Sequence, residues 1–255
     1  MDQPLPPPPI DAASVTPGEP WLPVEVHDRV GSTNDLVRDR PALWRVVVAD
    51  VQESGRGRLG RAWSTTPGTA LAVSVLVPVP ASGASWVPLF AGLAVHRAVD
   101  EVAGPVTALK WPNDVLVPED GDRKLAGVLC EWVPDGVVVG VGVNVDTTRA
   151  DLPLGTATSL RAAGHPGVDR AVLLTAYLRQ LAAVLREDSG PSGPAAAAYR
   201  AACATLGRDV EVHEPGGAVR HGRATGIDGE GRLTVHTGAG TVQVSAGDVV
   251  HVRAR

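Results

Sequence analysis

Four β-type segments follow one another between residues 106 and 146 with only turns between them. Residues 106–111, 114–117, 124–133 and 136–146 are rich in β-branched residues, and Pro112-Asn113 and Pro134-Asp135-Gly136 supply turn chemistry. A doubly wound parallel sheet needs a crossover helix between successive strands, so this run argues against one. Upstream, strands are expected at 24–27, 45–51 and 70–79. A short helix capped by Ser32 or Thr33 should run to about residue 40. Helices are expected at 85–102, with Leu89, Leu93 and Val99 near one face, and at 169–186, with Val172, Leu173, Tyr177, Leu181 and Leu185 at helical spacing. A flexible stretch, 188–194, then leads into a short alanine-rich helix ending near Leu206. The expected fold class is α+β: a mixed or antiparallel central sheet with helices packed on it, spanning 24–206. From residue 207 short alternating strands separated by glycine pairs predict a small SH3-like β-barrel, 207–255. Residues 1–23 carry a proline run, expected to be extended and partly disordered, and too short and proline-rich for a helix-turn-helix.

Composition narrows the function classes. The formal net charge is −5, which argues against whole-surface binding to nucleic acid. No uncharged run forms the roughly 20-residue apolar stretch of a membrane helix, and no signal peptide is visible. The two cysteines, Cys130 and Cys203, form no CxxC pair, so a zinc site or disulfide framework is not expected and a reducing cytoplasm is the default. Of 23 basic residues only Lys110 and Lys124 are lysines. Either codon bias explains the rest, or these two positions need a compact ammonium where a planar guanidinium does not serve.

The densest chemical signal is Gln52-Glu-Ser-Gly55-Arg56-Gly57-Arg58-Leu-Gly60-Arg61-Ala-Trp63. Glycines let backbone N–H groups turn toward a ligand, and arginine forks match phosphate and carboxylate oxygens. Gly55, Gly57 and Gly60 fit GxGxxG, but a turn follows rather than the helix a dinucleotide site needs. Arg61 and Ala62 stand where a P-loop needs Lys and Ser/Thr, and kinase HRD and DFG segments are missing. The loop is therefore an anion-binding loop, a nucleic-acid-binding loop, or a solvated hairpin tip with incidental arginines. In Lys110-Trp-Pro-Asn-Asp114, Asp114 can accept a proton or hold a metal, or the Asn113-Asp114 pair can form an Asx-turn. Lys124 opens a strand, where a plain surface lysine is the alternative. Gly140-Val-Gly142-Val-Asn144 puts two glycines and an amide into an apolar strand. That pattern needs either a close approach by another group or a bulge.

Taken in order, Gly31-Ser-Thr-Asn34, the Gln52–Trp63 loop, Lys110-Trp-Pro-Asn-Asp114, Lys124-Leu-Ala-Gly127-Val, Gly140-Val-Gly142-Val-Asn144 and Ala157-Thr-Ser-Leu160 resemble the biotin protein ligases. The resemblance implies a class II synthetase-like catalytic domain of the biotin/lipoate ligase type. It implies adenylation of biotin by ATP with Mg²⁺, then transfer of biotin to a lysine of a carboxyl-carrier domain. By the same resemblance Ser32, Thr33, Asn34, Gln52, Arg56, Gly57, Arg58, Lys124 and Gly127 hold biotin, and Arg58, Arg61, Trp63, Lys110, Asn113 and Asn144 lie on the nucleotide side. Arg56, Lys124 and Asp114 are the expected catalytic groups. No protein-held metal is assigned, although Asp114 can meet the magnesium of ATP. Some family members carry an N-terminal winged helix-turn-helix and act as repressors; here the leader implies an enzyme without DNA as partner. A monomer or weak homodimer, cytoplasmic and off the membrane, completes the expectation. Lipoate–protein ligase is the nearest alternative and a nucleic-acid-binding module the alternative of another class.

Overall fold

The computed structural model describes residues 8–64, 66–80, 83–186 and 190–252. Seven strands form the main sheet: β1 (Val24–Val30), β2 (Val46–Gln52), β3 (Ala70–Val77), β4 (Ala108–Lys110), β5 (Asp114–Val117), β6 (Arg123–Val133) and β7 (Gly136–Asn144). Their spatial order is β1-β2-β3-β7-β6-β5-β4. Only β1 and β2 pair in parallel; the other pairs are antiparallel, and in β4–β5, β5–β6 and β6–β7 this follows from strands joined by short connections.

One face of this sheet carries the core. Leu71, Val73, Val75 and Val77 of β3 and Val137, Val139, Val141 and Val143 of β7 pack against α2 (Val87–Ala103) and α3 (Arg170–Arg186). The opposite face holds a much smaller apolar cluster, Val37, Val47, Leu76 and Val138, under the short helix α1 (Thr33–Asp39). The rest of that face is left for a cleft. A last helix, α4 (Pro194–Ala202), leads to a second, all-antiparallel sheet of β8 (Asp209–His213), β9 (Val219–Ile227), β10 (Leu233–Thr237), β11 (Gly240–Val244) and β12 (Asp248–His251), in the order β11-β10-β9-β8-β12.

Several expectations need correction. The described part of the leader, residues 8–23, packs against the main domain. Arg170, buried in α3, donates to Pro8 O at 2.6 Å, and Val15 is buried. The Trp21 indole donates to Leu178 O at 2.9 Å while its ring meets Trp44 edge-on at 5.2 Å. Proline forbids ladder pairing but not side-chain packing, and these anchors suffice. Residues 1–7 lie outside the described residues, as does 187–189 at the start of the stretch expected to be flexible. β4 is shorter than expected because the Asp100 carboxylate takes the N–H groups of Val106 and Thr107 away from the ladder, at 3.2 and 3.0 Å. Val172 is 56% exposed on the outer side of α3, whereas Leu173, Tyr177 and Leu181 are buried. Ser32 occupies the N-cap of α1 without a side-chain cap bond, and the N–H of the first helical residue, Thr33, is capped instead by Gln52 Oε1 at 2.9 Å. No helix among the described residues is long and apolar enough to cross a membrane.

Candidate functional site

Register builds the cleft floor. Directly opposed residues in antiparallel strands share a face. Ala49 of β2 faces Ala72 of β3, Ala72 faces Gly142 of β7, Gly142 faces Gly127 of β6, Gly127 faces Asp114 of β5, and Asp114 faces Lys110 of β4. A row of small residues thus crosses the sheet and ends at a carboxylate and an ammonium. The next row contains Ser74, Gly140 and Leu129. The β7 pairings run from Gly136 to Asn144 without a shift, so the glycines mark no bulge. They admit close neighbours: a Cβ on Gly140 would lie 2.1 Å from Asn34 Oδ1, and one on Gly142 would lie 2.3 Å from the Trp63 ring.

The resulting cleft, about 1080 Å³, is lined by every residue that the sequence singled out for ligand contact. At its Gly140 end sit Ser32, Thr33 and Asn34, buried at the start of α1, with Gln52 at the end of β2. Thr33 Oγ1 lies 3.0 Å from Gln52 Oε1, and Ser74 Oγ donates to Asn34 Oδ1 at 2.6 Å. At the other end Asn144 closes β7 and donates to Thr158 O at 2.9 Å. Lys124 exchanges backbone bonds with Thr156 and Thr158, so the Ala157-Thr-Ser-Leu160 segment is tied to both.

The glycine–arginine loop is a closed hairpin, with Gly57 N–H bonded to Arg61 O and Trp63 N–H to Gly55 O. Gly55 cannot carry a side chain, since a Cβ would lie 2.3 Å from Trp63 O. Its arginines are not incidental, because each is engaged with a different wall. Arg56 forms a two-pronged pair with Asp35 of α1, at 2.6 and 2.9 Å. Arg58 donates to Asn113 Oδ1 at 3.0 Å, and Arg61 is ion-paired with Asp248 of β12. The Arg56 hydrogen bond holds the Asp35 carboxyl below its usual range, and burial pulls the Arg58 guanidinium down. Burial pushes the Asp248 carboxyl up, but the Arg61 hydrogen bond and the nearby charges of Arg61, Lys110 and His213 together outweigh it and leave the carboxyl lowered.

Lys124 is no free surface lysine: its Nζ lies 2.6 Å from Asp114 Oδ1, and the Trp63 ring stands 5.8 Å away. The ion pair is close but misaligned for a hydrogen bond, which leaves Asp114 Oδ1 without an aligned partner; the buried Trp63 Nε1 also has none. The Asx-turn reading fails, because Asn113 Nδ2 reaches Val128 O at 3.0 Å and its Oδ1 is taken by Arg58. Trp63, expected on the nucleotide side, rests on Gly142 with its ring edge near Gly127, in the middle of the floor.

Sequence reading missed Asp35, Ser74, Glu131, Asp122, Arg208, Asp248 and His251. Asp122, Arg208, Asp248 and His251 line the cleft from the β12 side, where Arg208 bonds Asp122 at 2.5 Å and His251 Nδ1 at 3.2 Å. Ser74 and Glu131 had a faint signal, a hydroxyl and a charge inside strands. The others had none, because their neighbours are far away in the chain. Among the described residues no group of three His, Cys, Asp or Glu is placed to hold a metal ion.

Residues 26–147 match the family model described as Biotin/lipoate A/B protein ligase family, and residues 205–252 match Biotin protein ligase C terminal domain. A biotin–[acetyl-CoA-carboxylase] ligase of Mycobacterium tuberculosis is 39% identical, the alignment covering 96% of this chain and 97% of that protein. A protein of the same name from Paracoccus denitrificans is 32% identical over 87% of this chain and 97% of its own length. Among solved structures, the biotin protein ligase from Aquifex aeolicus in complex with biotin and ATP superposes with a TM-score of 0.77 at 27% identity, covering 91% of this chain and 99% of that one.

Proposed function

The chain belongs to the biotin protein ligase family, and on that premise we propose how its residues share the work. The reaction is ATP-dependent activation of biotin to biotinyl-5′-AMP, followed by transfer of biotin to a lysine of an acceptor carrier domain. A biotin carboxylate oxygen attacks the α-phosphorus and pyrophosphate leaves; the acceptor amine then attacks the acyl carbon and AMP leaves.

The observation that carries the assignment of roles is the row of small residues across the sheet. It leaves a trench with an amide–hydroxyl end at Gly140 and the Lys124–Asp114 pair beside Gly127. The polar head of biotin fits the first, where Ser32, Thr33, Asn34 and Gln52 offer donors and acceptors. Its carboxylate then points toward Lys124, whose point charge offsets the repulsion between carboxylate and α-phosphate. Arg56, Gly57 and Arg58 cover the trench from the loop and shield the mixed anhydride from water. Asn144, Arg61, Trp63, Lys110 and Asn113 flank the nucleotide. Asp114, with an oxygen free of aligned bonds, orients or deprotonates the acceptor amine. Magnesium, brought on the ATP phosphates, would offset their charge. Of the carboxylates that line the cleft, Asp122 is paired with Arg208 and Asp248 with Arg61, so Asp114 beside Lys124 would be the one to meet an ion that keeps its waters and substrate oxygens as ligands.

The sheet boundaries and the family matches support a division into a catalytic domain, 24–206, and a C-terminal domain, 207–255. ATP use and two free cysteines support a cytoplasmic setting. We read the chain as a monomer or weak homodimer that does not bind DNA, to be checked by sedimentation and by a DNA-binding titration.

The deciding experiment is ATP–pyrophosphate exchange with biotin and lipoate in parallel. Exchange with biotin alone is expected. Exchange with lipoate alone would change the substrate, and none with either, from folded protein with Mg²⁺, would overturn the adenylation reading.

A further inference from the structure

Glu131 sits on β6, does not line the cleft, and has no part in the chemistry described above. Its carboxylate nevertheless meets two residues that line the cleft. Oε2 accepts from Asn34 Nδ2 at 2.7 Å, and Oε1 lies 3.8 Å from the Arg56 guanidinium and 3.6 Å from that of Arg38. We propose that Glu131 is a positioning residue for biotin, fixing which way the Asn34 amide faces and steadying Arg56 at the same end of the cleft. This rests on the biotin reading.

The argument is one of donors and acceptors. A carboxylate only accepts, so the edge of Asn34 that faces Glu131 must be its NH₂. Asn34 Oδ1 is then turned to the Ser74 hydroxyl at 2.6 Å, above the Gly140 backbone, where a Cβ would stand 2.1 Å away. Asn34 is only 4% exposed, so water does not substitute for either partner. Without the carboxylate the amide has two orientations of similar energy, and one of them turns an acceptor where the ligand needs a donor. The cost of such a mismatch falls on binding rather than on folding, because both orientations fit the same space. Asp35 holds Arg56 from the α1 side and Glu131 approaches the same guanidinium from β6, which orients it between two anions.

The test compares wild type, Glu131→Gln and Glu131→Asp. Gln is isosteric but can present either end of its amide; Asp keeps the charge but is one methylene too short to reach Asn34. Biotin affinity is measured by calorimetry without ATP, KM for ATP by pyrophosphate exchange, and folding by Tm. Both variants should bind biotin about 10-fold more weakly or worse, with KM for ATP and Tm close to wild type. Unchanged biotin affinity in Glu131→Gln, wild-type behaviour of Glu131→Asp, or a parallel loss for both substrates with a lowered Tm overturns the proposal. Wild-type protein that binds no biotin overturns the biotin reading itself, and this inference with it.

Discussion

The two faces of the central sheet use the same strands for opposite ends. On the α2/α3 face β3 and β7 offer Leu71, Val73, Val75, Val137, Val139 and Val141. On the other face the same strands offer Ala72, Ser74, Gly140, Gly142 and Asn144. All of these residues are buried, so burial does not separate the faces; side-chain volume and polarity do. The aliphatic face supplies the burial that holds the sheet, which frees the other face to be thin, polar and hollow. Substitutions should accordingly move stability on one face and ligand affinity or catalysis on the other.

The largest effect should come from the aliphatic face. Leu71→Ala is expected to cost about 2–5 kcal/mol of stability, read as a lowered Tm, with both substrate KM values unchanged. A KM change there would break the separation of faces. Next comes Lys124→Arg, which keeps the charge but not its shape. Adenylation should fall by about 100-fold, near 2.7 kcal/mol, with Tm intact. Wild-type exchange would remove Lys124 from its role. Gly142→Ala should then weaken ATP binding by about 1–3 kcal/mol, because its new Cβ displaces the Trp63 ring that flanks the nucleotide. Stability should change less, since the indole Nε1, orphaned in its present seat, regains water. Asp248→Asn, which loosens the loop from β12, should raise KM for ATP a few-fold at a stability cost below about 1 kcal/mol, leaving biotin binding alone.

The smallest effect sharpens the boundary between cleft and C-terminal sheet. Burial, with help from Arg208 and Lys110, lowers the His251 imidazole from 6.5 to about 4. Arg208 only donates, so Nδ1 accepts and the neutral ring carries its proton on Nε2, toward Thr205 Oγ1 at 3.0 Å. The unfolded chain therefore binds more protons than the folded one between about 4 and 6.5, and stability falls as pH drops through that window. His251→Gln should flatten that limb of a Tm-versus-pH curve.

Much of the site was legible because its chemistry is local. Gln52 to Trp63 forms one hairpin, and Lys110 to Asp114 spans one turn, so adjacency in sequence already meant adjacency in space. The glycines of β7 could be flagged as needing a close neighbour, but the neighbours, Asn34 and Trp63, come from other elements. Ser74, lying in an apolar run, was passed over, and only the register sets it opposite Gly140. The leader misled because proline content speaks to ladder pairing and says nothing of Trp21 and Val15 as anchors.

By itself the sequence determined the succession of strands, the arginine-bearing hairpin and the two lysines. These depend on side-chain period, turn chemistry and residue type, all read within a few neighbours. Only the tertiary structure decided that Ala49, Ala72, Gly142, Gly127, Asp114 and Lys110 form one row, that Arg61 meets Asp248, and that Glu131 fixes Asn34. Strand register and long-range ion pairs are set by how distant segments pack together, and no local pattern carries that information.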